Sequence, residues 1–317
     1  MTLVAGSYEK FIWGFSLITL SSSSSDETLI LKPLFSYPSH TAPIKSVAAA
    51  GPIAASGGAD DTIKIYDLAT SSEIGSLIDH SGAVTALAFY TTSLAQSLPR
   101  NLISAADDGN LCIFDADPFV HLKTVPVHRR GISDLAVHPS GRLALTVGRD
   151  SCLAMVNLVR GRRSFSCRLD REASIVKYGS EDMFFMVAEE RITAHNAEDA
   201  KIIWETVGQK RVLCIATGES GLLFTGGEDK NVVAWDTTSG KVAYSIDDAH
   251  STRVKGLVMF KRRSNDETFE ASNFLASASS DGVIRLWDLR MTSKEKTNPL
   301  AESNTKSRLT CLAGSSV

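Results

Sequence analysis

One signature recurs along this sequence and leaves few folds open to it. Its fullest copy is LASASSDGVIRLWDLR at residues 275–290. Leu275, Ser277 and Ser279 alternate along a first strand, and Val283, Arg285 and Trp287 along a second. Asp281-Gly282 lies between them, a dipeptide suited to a hairpin because glycine tolerates positive φ. Imperfect copies are AASGGADDTIKIYDL (54–68), LISAADDGNLCIFDA (102–116), LALTVGRDSCLAMVNL (143–158) and LLFTGGEDKNVVAWDT (222–237). FMVAEERITAHNA (185–197) has a shorter turn and lacks the aromatic-Asp ending, and LVAGSYEKFIWGF (3–15) starts the chain in mid-unit.

A further strand precedes the hairpins, at 44–48, 84–88, 132–136, 212–216 and 254–258, with a weaker one at 174–178. The hairpin at 3–15 has no such partner before it. LTCLA at 309–313, at the other end of the chain, supplies it. Seven units in 317 residues average about 45 each, the length of a propeller blade. An open solenoid would need polar caps and has no use for a split unit. Ring closure also removes exposed sheet edges. The expectation is all-β: a single seven-bladed β-propeller over 1–317, closed by pairing the C-terminal strand with the N-terminal hairpin. Blade seven is then split between 1–39 and 307–317, with a linker at 291–306.

The chain is 43% hydrophobic and 22% charged, too apolar for disorder and too interrupted for a membrane span. A net charge of −3 excludes a wholesale basic nucleic-acid binder but leaves local patches open. Five scattered cysteines with no C-x-x-C read as reduced thiols. The apolar run at 11–20 follows Glu9-Lys10 without a basic n-region, so strands explain it better than a signal peptide.

The recurring polar residues have a structural explanation. His40, His80, His128 and His250 each stand four residues before a first strand. The same units carry Ser56, Ser104, Thr146 and Ser277 in the next strand, and Asp60, Asp108, Asp150 and Asp281 in the turn. Trp287 completes the last set. A buried histidine must place both ring nitrogens, and a hydroxyl plus a carboxylate do so without water. This pattern resembles the WD-repeat (WD40) family, in which Asp, His, Ser/Thr and Trp form a hydrogen-bonded tetrad within a blade. Blade four lacks the His and Asp and blade five the His, which predicts a softer part of the ring.

Ser277, Asp281 and His250 have the composition of a nucleophilic triad, but repetition of the three types elsewhere and the lack of a G-x-S-x-G elbow argue for structure. No catalytic residue, metal or cofactor is expected. Asp60-Asp61 and Asp107-Asp108 sit in turns without the further ligands of a calcium loop. Gly57-Gly58 and Gly226-Gly227 lead into hairpins and not helices, against a phosphate loop. His195 reads as a surface or partly buried residue.

Charge placement is more suggestive. In a WD-repeat blade the loop before the first strand and the hairpin turn open on one face. Blades three to six put Arg129, Arg130, Arg149, Arg171, Lys210, Arg211, Lys230 and Arg253 there, whereas blades one and two offer Asp61 and Asp107. A cationic sector of this kind suits an RNA backbone or an acidic protein segment. Basic clusters at 160–163 (RGRR) and 261–263 (KRR) fall on the opposite face.

Several stretches are similar to the p21-activated protein kinase-interacting protein family: VAGSYE (4–9) with Gly14-Phe15, HSG (80–82), 102–115, HPSGRLAL (138–145), VNL (156–158) and RLTCL (308–312). The resemblance implies a non-catalytic scaffold of nucleus and nucleolus that assembles the large ribosomal subunit through pre-ribosomal proteins and pre-rRNA, a monomer within a larger complex, with no membrane contact. It also implies binding and restraint of a p21-activated kinase. The family's Lys-rich tail has no counterpart before Val317. A third reading comes from Trp287-Asp288-Leu289-Arg290, which resembles the W-D-x-R box of cullin-ligase substrate receptors; only Arg290 adds to the WD consensus.

Overall fold

The computed structural model describes residues 1–21, 27–91, 98–218, 221–262, 272–289 and 298–315. Their strands, in chain order, fall into seven four-stranded antiparallel sheets. Blade seven begins with β1 (Thr2–Ser7), β2 (Phe11–Ser21) and β3 (Glu27–Pro38). Blade one is β4 (Ile44–Ala50), β5 (Ile53–Gly58), β6 (Ile63–Asp67) and β7 (Ser72–Leu77). Blade two is β8 (Val84–Tyr90), β9 (Asn101–Ala106), β10 (Asn110–Ala116) and β11 (Phe119–Pro126). Blade three is β12 (Ile132–Val137), β13 (Leu143–Gly148), β14 (Cys152–Asn157) and β15 (Arg162–Arg168). Blade four is β16 (Ile175–Tyr178), β17 (Met183–Ala188), β18 (Arg191–Asn196) and β19 (Ile202–Val207). Blade five is β20 (Val212–Thr217), β21 (Leu222–Gly227), β22 (Val232–Asp236) and β23 (Val242–Ile246). Blade six is β24 (Val254–Arg262), β25 (Ser272–Ser279), β26 (Val283–Asp288) and β27 (Ala301–Asn304), and β28 (Leu309–Ser315) returns to blade seven.

The closure expected from the split unit is present: β28 pairs antiparallel with β1, from Thr2 opposite Ser315 to Ser7 opposite Leu309. One boundary needs correction. Residues 301–304, assigned above to a linker, form the outer strand of blade six, with Ala301 opposite Leu286 and Asn304 opposite Val283. AESN carries one inward apolar residue and no alternation, so nothing in its pattern announces a strand.

The middle strands are buried on both faces because blades stack on either side, as the unbroken burial of β5 (IAASGG) illustrates. Outer strands such as β7 and β15 are almost wholly exposed. Seven apolar clusters of described residues lie between neighbouring blades, one at each interface. Phe274 and Leu286 of blade six meet Leu3 and Phe15 of blade seven, and Val4 and Ile12 of blade seven meet Ile44 and Tyr66 of blade one. Each such fully buried side chain contributes about 1.5–3 kcal/mol. The glycine pairs serve this stacking: a Cβ on Gly57 would come within 2.5 Å of Val84 in the next blade, and one on Gly226 within 2.7 Å of Val254.

Inner strands share a bulge. Register shifts skip Lys45, Thr85, Ser133, Leu213, Lys255 and Thr310, all at the same end of their strands. The bulge residues tie blades together: Thr85 donates to the Ile132 carbonyl at 2.7 Å and Thr310 to the Ile44 carbonyl at 2.8 Å.

Candidate functional site

The repeated polar residues come together as hydrogen-bonded sets inside the blades. In blade one His40 Nδ1 lies 2.9 Å from Asp60 Oδ1, and Nε2 lies 2.7 Å from Ser56 Oγ. In blade two His80 is 3.1 Å from Asp108 and 2.7 Å from Ser104. In blade three His128 is 2.8 Å from Asp150 and 2.9 Å from Thr146. Burial holds the His40 imidazole below its ordinary pKa, so it is neutral: Nδ1–H donates to the carboxylate and the serine hydroxyl donates to Nε2. Asp60, Asp108 and Asp150 are held below the usual carboxylate range by their donors, against burial, which acts to raise them. Buried in pairs, these groups are used up by the fold.

Blade six departs from the expected set. His250 Nε2 is 2.7 Å from Ser277 Oγ, and Trp287 Nε1 donates to the same hydroxyl at 2.8 Å. Yet His250 Nδ1 is buried without a partner among the described residues. Asp281 instead accepts the Ser251 hydroxyl at 2.5 Å and the Val283 N–H at 3.0 Å. The residue opposite the first inner-strand position explains the difference. It is Gly58, Gly148, Ala106 or Ser279 in blades one, three, two and six. A Cβ on Gly58 would stand 2.4 Å from His40 Nδ1 and 2.1 Å from Asp60, and one on Gly148 would stand 2.4 Å from His128 Nδ1. Accordingly the His–Asp distance is shortest at the two glycines, longer beside Ala106 and absent beside Ser279.

Sequence reasoning missed three further occupants of the tryptophan position, one of them a tryptophan and two of them substitutes. Tyr66 occupies that position in blade one and its hydroxyl is 2.8 Å from Ser56 Oγ. Trp235 occupies it in blade five and donates to Thr225 at 2.9 Å. In blade four it is His195, read from sequence as a surface or partly buried residue, which is buried at 6% exposed and stacks on Phe184 at 5.0 Å. Its Nε2 meets Thr193 at 2.8 Å. An aromatic or histidine one residue before the terminal Asp/Asn was the available signal.

Of the cationic loop residues, Arg129, Arg130, Arg171, Lys210, Arg211 and Lys230 are exposed and Arg253 is half-buried. Arg149 is not a free cation, since it pairs with Asp107 of blade two at 2.8 Å. Two unforeseen residues join the sector. Burial, and then the neighbouring guanidiniums of Arg253, Arg211 and Arg308, pull the Lys255 ammonium below the ordinary lysine range. Arg308, beside the closing strand, lies over the Tyr8 ring at 5.3 Å. Four cations from blades five, six and seven thus converge on one mouth of the ring. On the opposite face, Arg163 is occupied, donating to the Val127 carbonyl at 2.5 Å. Arg290 lies outside the described residues.

Comparison with known proteins agrees with this architecture. Residues 31–67, 71–115, 119–156 and 245–288 match the WD domain, G-beta repeat family. The chain is 34% identical over 313 residues to p21-activated protein kinase-interacting protein 1-like of Danio rerio, an alignment covering 98% of this chain and 79% of that protein. It is 33% identical over 314 residues to p21-activated protein kinase-interacting protein 1 of Homo sapiens, covering 98% and 76%. Shk1 kinase-binding protein 15 of Schizosaccharomyces pombe is 26% identical over 293 residues, covering 91% and 77%. A seven-bladed ring carrying His–Asp–Ser/Thr sets, with such relatives across nearly its whole length, belongs to the p21-activated protein kinase-interacting protein family of WD40-repeat scaffolds.

Proposed function

We propose that this propeller is a non-catalytic assembly scaffold for the large ribosomal subunit, working in the nucleus and nucleolus. The observation that carries this reading is the convergence of Arg211, Arg253, Lys255 and Arg308 on one mouth of the ring, flanked by the exposed Arg129, Arg130, Arg171, Lys210 and Lys230. Lys255 is half-buried among like charges, an arrangement that costs stability and is compensated when an anion arrives. Pre-rRNA phosphates or an acidic segment of a pre-ribosomal protein supply that anion. In blades one to three the histidines, hydroxyls and aspartates are bonded to one another, and in blade six His250 is bonded to Ser277 while Asp281 is taken by Ser251 and the Val283 N–H.

The test is sedimentation of the tagged protein with large-subunit precursors. The wild type should travel with the precursors, and Arg211→Glu/Arg308→Glu should move to light fractions while keeping its melting temperature. If RNA is the ligand, each phosphate that the variant no longer neutralises lowers the salt slope of binding by about 0.7–0.9. A wild-type protein found only in free fractions would sink the reading. A second reading, direct binding and restraint of a p21-activated kinase, is favoured by the names of the Homo sapiens and Schizosaccharomyces pombe relatives. It requires the purified propeller to bind a kinase regulatory segment and lower kinase activity.

A further inference from the structure

Blade five contains the mould of a histidine without the histidine. In blades one, three and six the residue at the histidine position is tethered through its backbone to the preceding blade: His40 N–H donates to the Lys10 carbonyl at 3.4 Å, His128 N–H to the Gly109 carbonyl at 3.1 Å and His250 N–H to the Lys230 carbonyl at 3.2 Å. The residue so tethered in blade five is Gly208, whose N–H donates to the Glu190 carbonyl at 2.8 Å. No side chain leaves that point. In its place is a cavity of about 450 Å³, lined by Gly208, Thr225, Asp229 and Trp235 among others.

The groups that would hold an imidazole are still in position. Thr225, 4% exposed, stands where Ser277 stands in blade six and accepts the Trp235 indole N–H as Ser277 accepts that of Trp287. Among the described residues its own proton reaches only the Val233 carbonyl at 3.5 Å, the limit of a hydrogen bond. Asp229 occupies the turn position of Asp60, Asp108 and Asp150 but keeps only a 3.4 Å bond from Asn231 N–H among the described residues. Burial pushes its carboxyl above the ordinary aspartate range, opposite to the three aspartates that have a histidine donor.

We propose that this cavity is a binding site for an imidazole ring, supplied by a histidine side chain of a partner protein. One ring N–H donates to Asp229, and the other nitrogen accepts the Thr225 proton. An ammonium or guanidinium has no acceptor for that proton. A protein source follows from the mouth of the cavity, where Val207 of β19 and Val242 of β23 are 60% and 54% exposed and would be covered by a peptide bearing the histidine. The cavity borders the cationic sector through Lys210, but its recognition groups are Asp229 and Thr225, so neither proposal depends on the other.

The experiment is a titration of the full chain with N-acetylhistidine methylamide, followed at the indole N–H resonance of Trp235. A saturable shift is expected, with a dissociation constant of about millimolar, within reach of a ring of five heavy atoms. Gly208→His should abolish it, because its own imidazole fills the cavity; a Cβ at Gly208 meets nothing closer than 3.5 Å. Thr225→Val, which leaves the cavity open, should weaken binding about tenfold and carries the test if Gly208→His does not fold. No saturable shift in the wild type, an equal shift in Gly208→His, undiminished binding by Thr225→Val, or equal binding of N-acetylalanine methylamide overturns the site. Binding of free imidazole but not of the histidine derivative overturns the protein source.

Discussion

At the residue scale, the residue opposite the first inner-strand position tracks how a buried histidine is satisfied: glycine and Ala106 accompany a His–Asp bond, and Ser279 does not. Ser279 stands where blades one and three have glycine, and His250 is the one member of the four whose Nδ1 finds no donor or acceptor partner among the described residues. Burial lowers the His250 pKa from 6.5 to about 4, with Asp281 opposing the shift only at a distance. Above pH ~6.5 the ring is neutral in both folded and unfolded chains and its stability contribution is complete. As pH falls below that value the unfolded chain takes up a proton that the folded chain refuses. The difference grows to about 3 kcal/mol by pH ~4 and then levels off. Urea midpoints measured across that window should show the fall. Ser279→Gly should let Asp281 reach Nδ1, raise the histidine pKa by NMR titration and flatten the loss. A pKa unmoved from about 4 would show that the Ser251–Asp281 bond, and not Ser279, keeps the pair apart. The ordinary sets are sensitive in a different way. Thr146→Val leaves the buried His128 Nε2 without its hydroxyl partner and should cost about 1–3 kcal/mol by chemical denaturation, against a change below about 0.5 for an exposed threonine such as Thr70.

At the scale of the element, blades differ in how much polar bonding backs their apolar stacking. Blade four replaces the tetrad with His195 stacked on Phe184, and its short inner strand β16 lacks the bulge shared by the other inner strands. Blade five keeps Trp235 and Thr225 over a cavity. Amides of β16, β17, β20 and β21 should therefore exchange faster than those of β5 and β13, whose strands carry complete His–Asp–hydroxyl bonding. Equal protection around the ring in a hydrogen-exchange experiment would show that interblade packing alone sets local stability. The same distinction explains what could be read from the sequence. Strands buried on both faces announce themselves as small and apolar runs ending at a turn, so β5, β9 and β25 are plain. Outer strands bury few residues. β27 (AESN) buries Ala301 alone and passed for a linker. The candidate site was legible where residue types repeat. Lys255 and Arg308 were not, because only the bulge in β24 and the closing of the ring bring them beside Arg211 and Arg253.

For the whole molecule, closure turns a ten-residue terminus into a structural member. β28 pairs with β1, supports the wholly buried Leu309, and reaches blade one through Thr310 Oγ1 to the Ile44 carbonyl and Ser315 Oγ to the Gly51 carbonyl, both at 2.8 Å. On its other side a Cβ on Gly256 of blade six would come within 2.5 Å of Leu312. Arg308 N–H donates to Glu9 at 2.8 Å, fastening the turn of blade seven to the strand that completes it. Deleting residues 308–317 removes this pairing and exposes both the edge of β1 and the faces of blades one and six. Burial of Leu309 and Ala313 together with the strand's hydrogen bonds amounts to about 5 kcal/mol or more, a large fraction of the stability of a domain. The truncated chain should melt far below the wild type and associate through the exposed strand edge, where a ten-residue tail outside a sheet would leave both unchanged. Co-expressing residues 308–317 as a separate peptide should restore part of the melting temperature, since the groove between blades six and one is already shaped for it. Glu9→Ala in the full chain should lower the melting temperature only slightly, because it loosens the latch and leaves the strand in place.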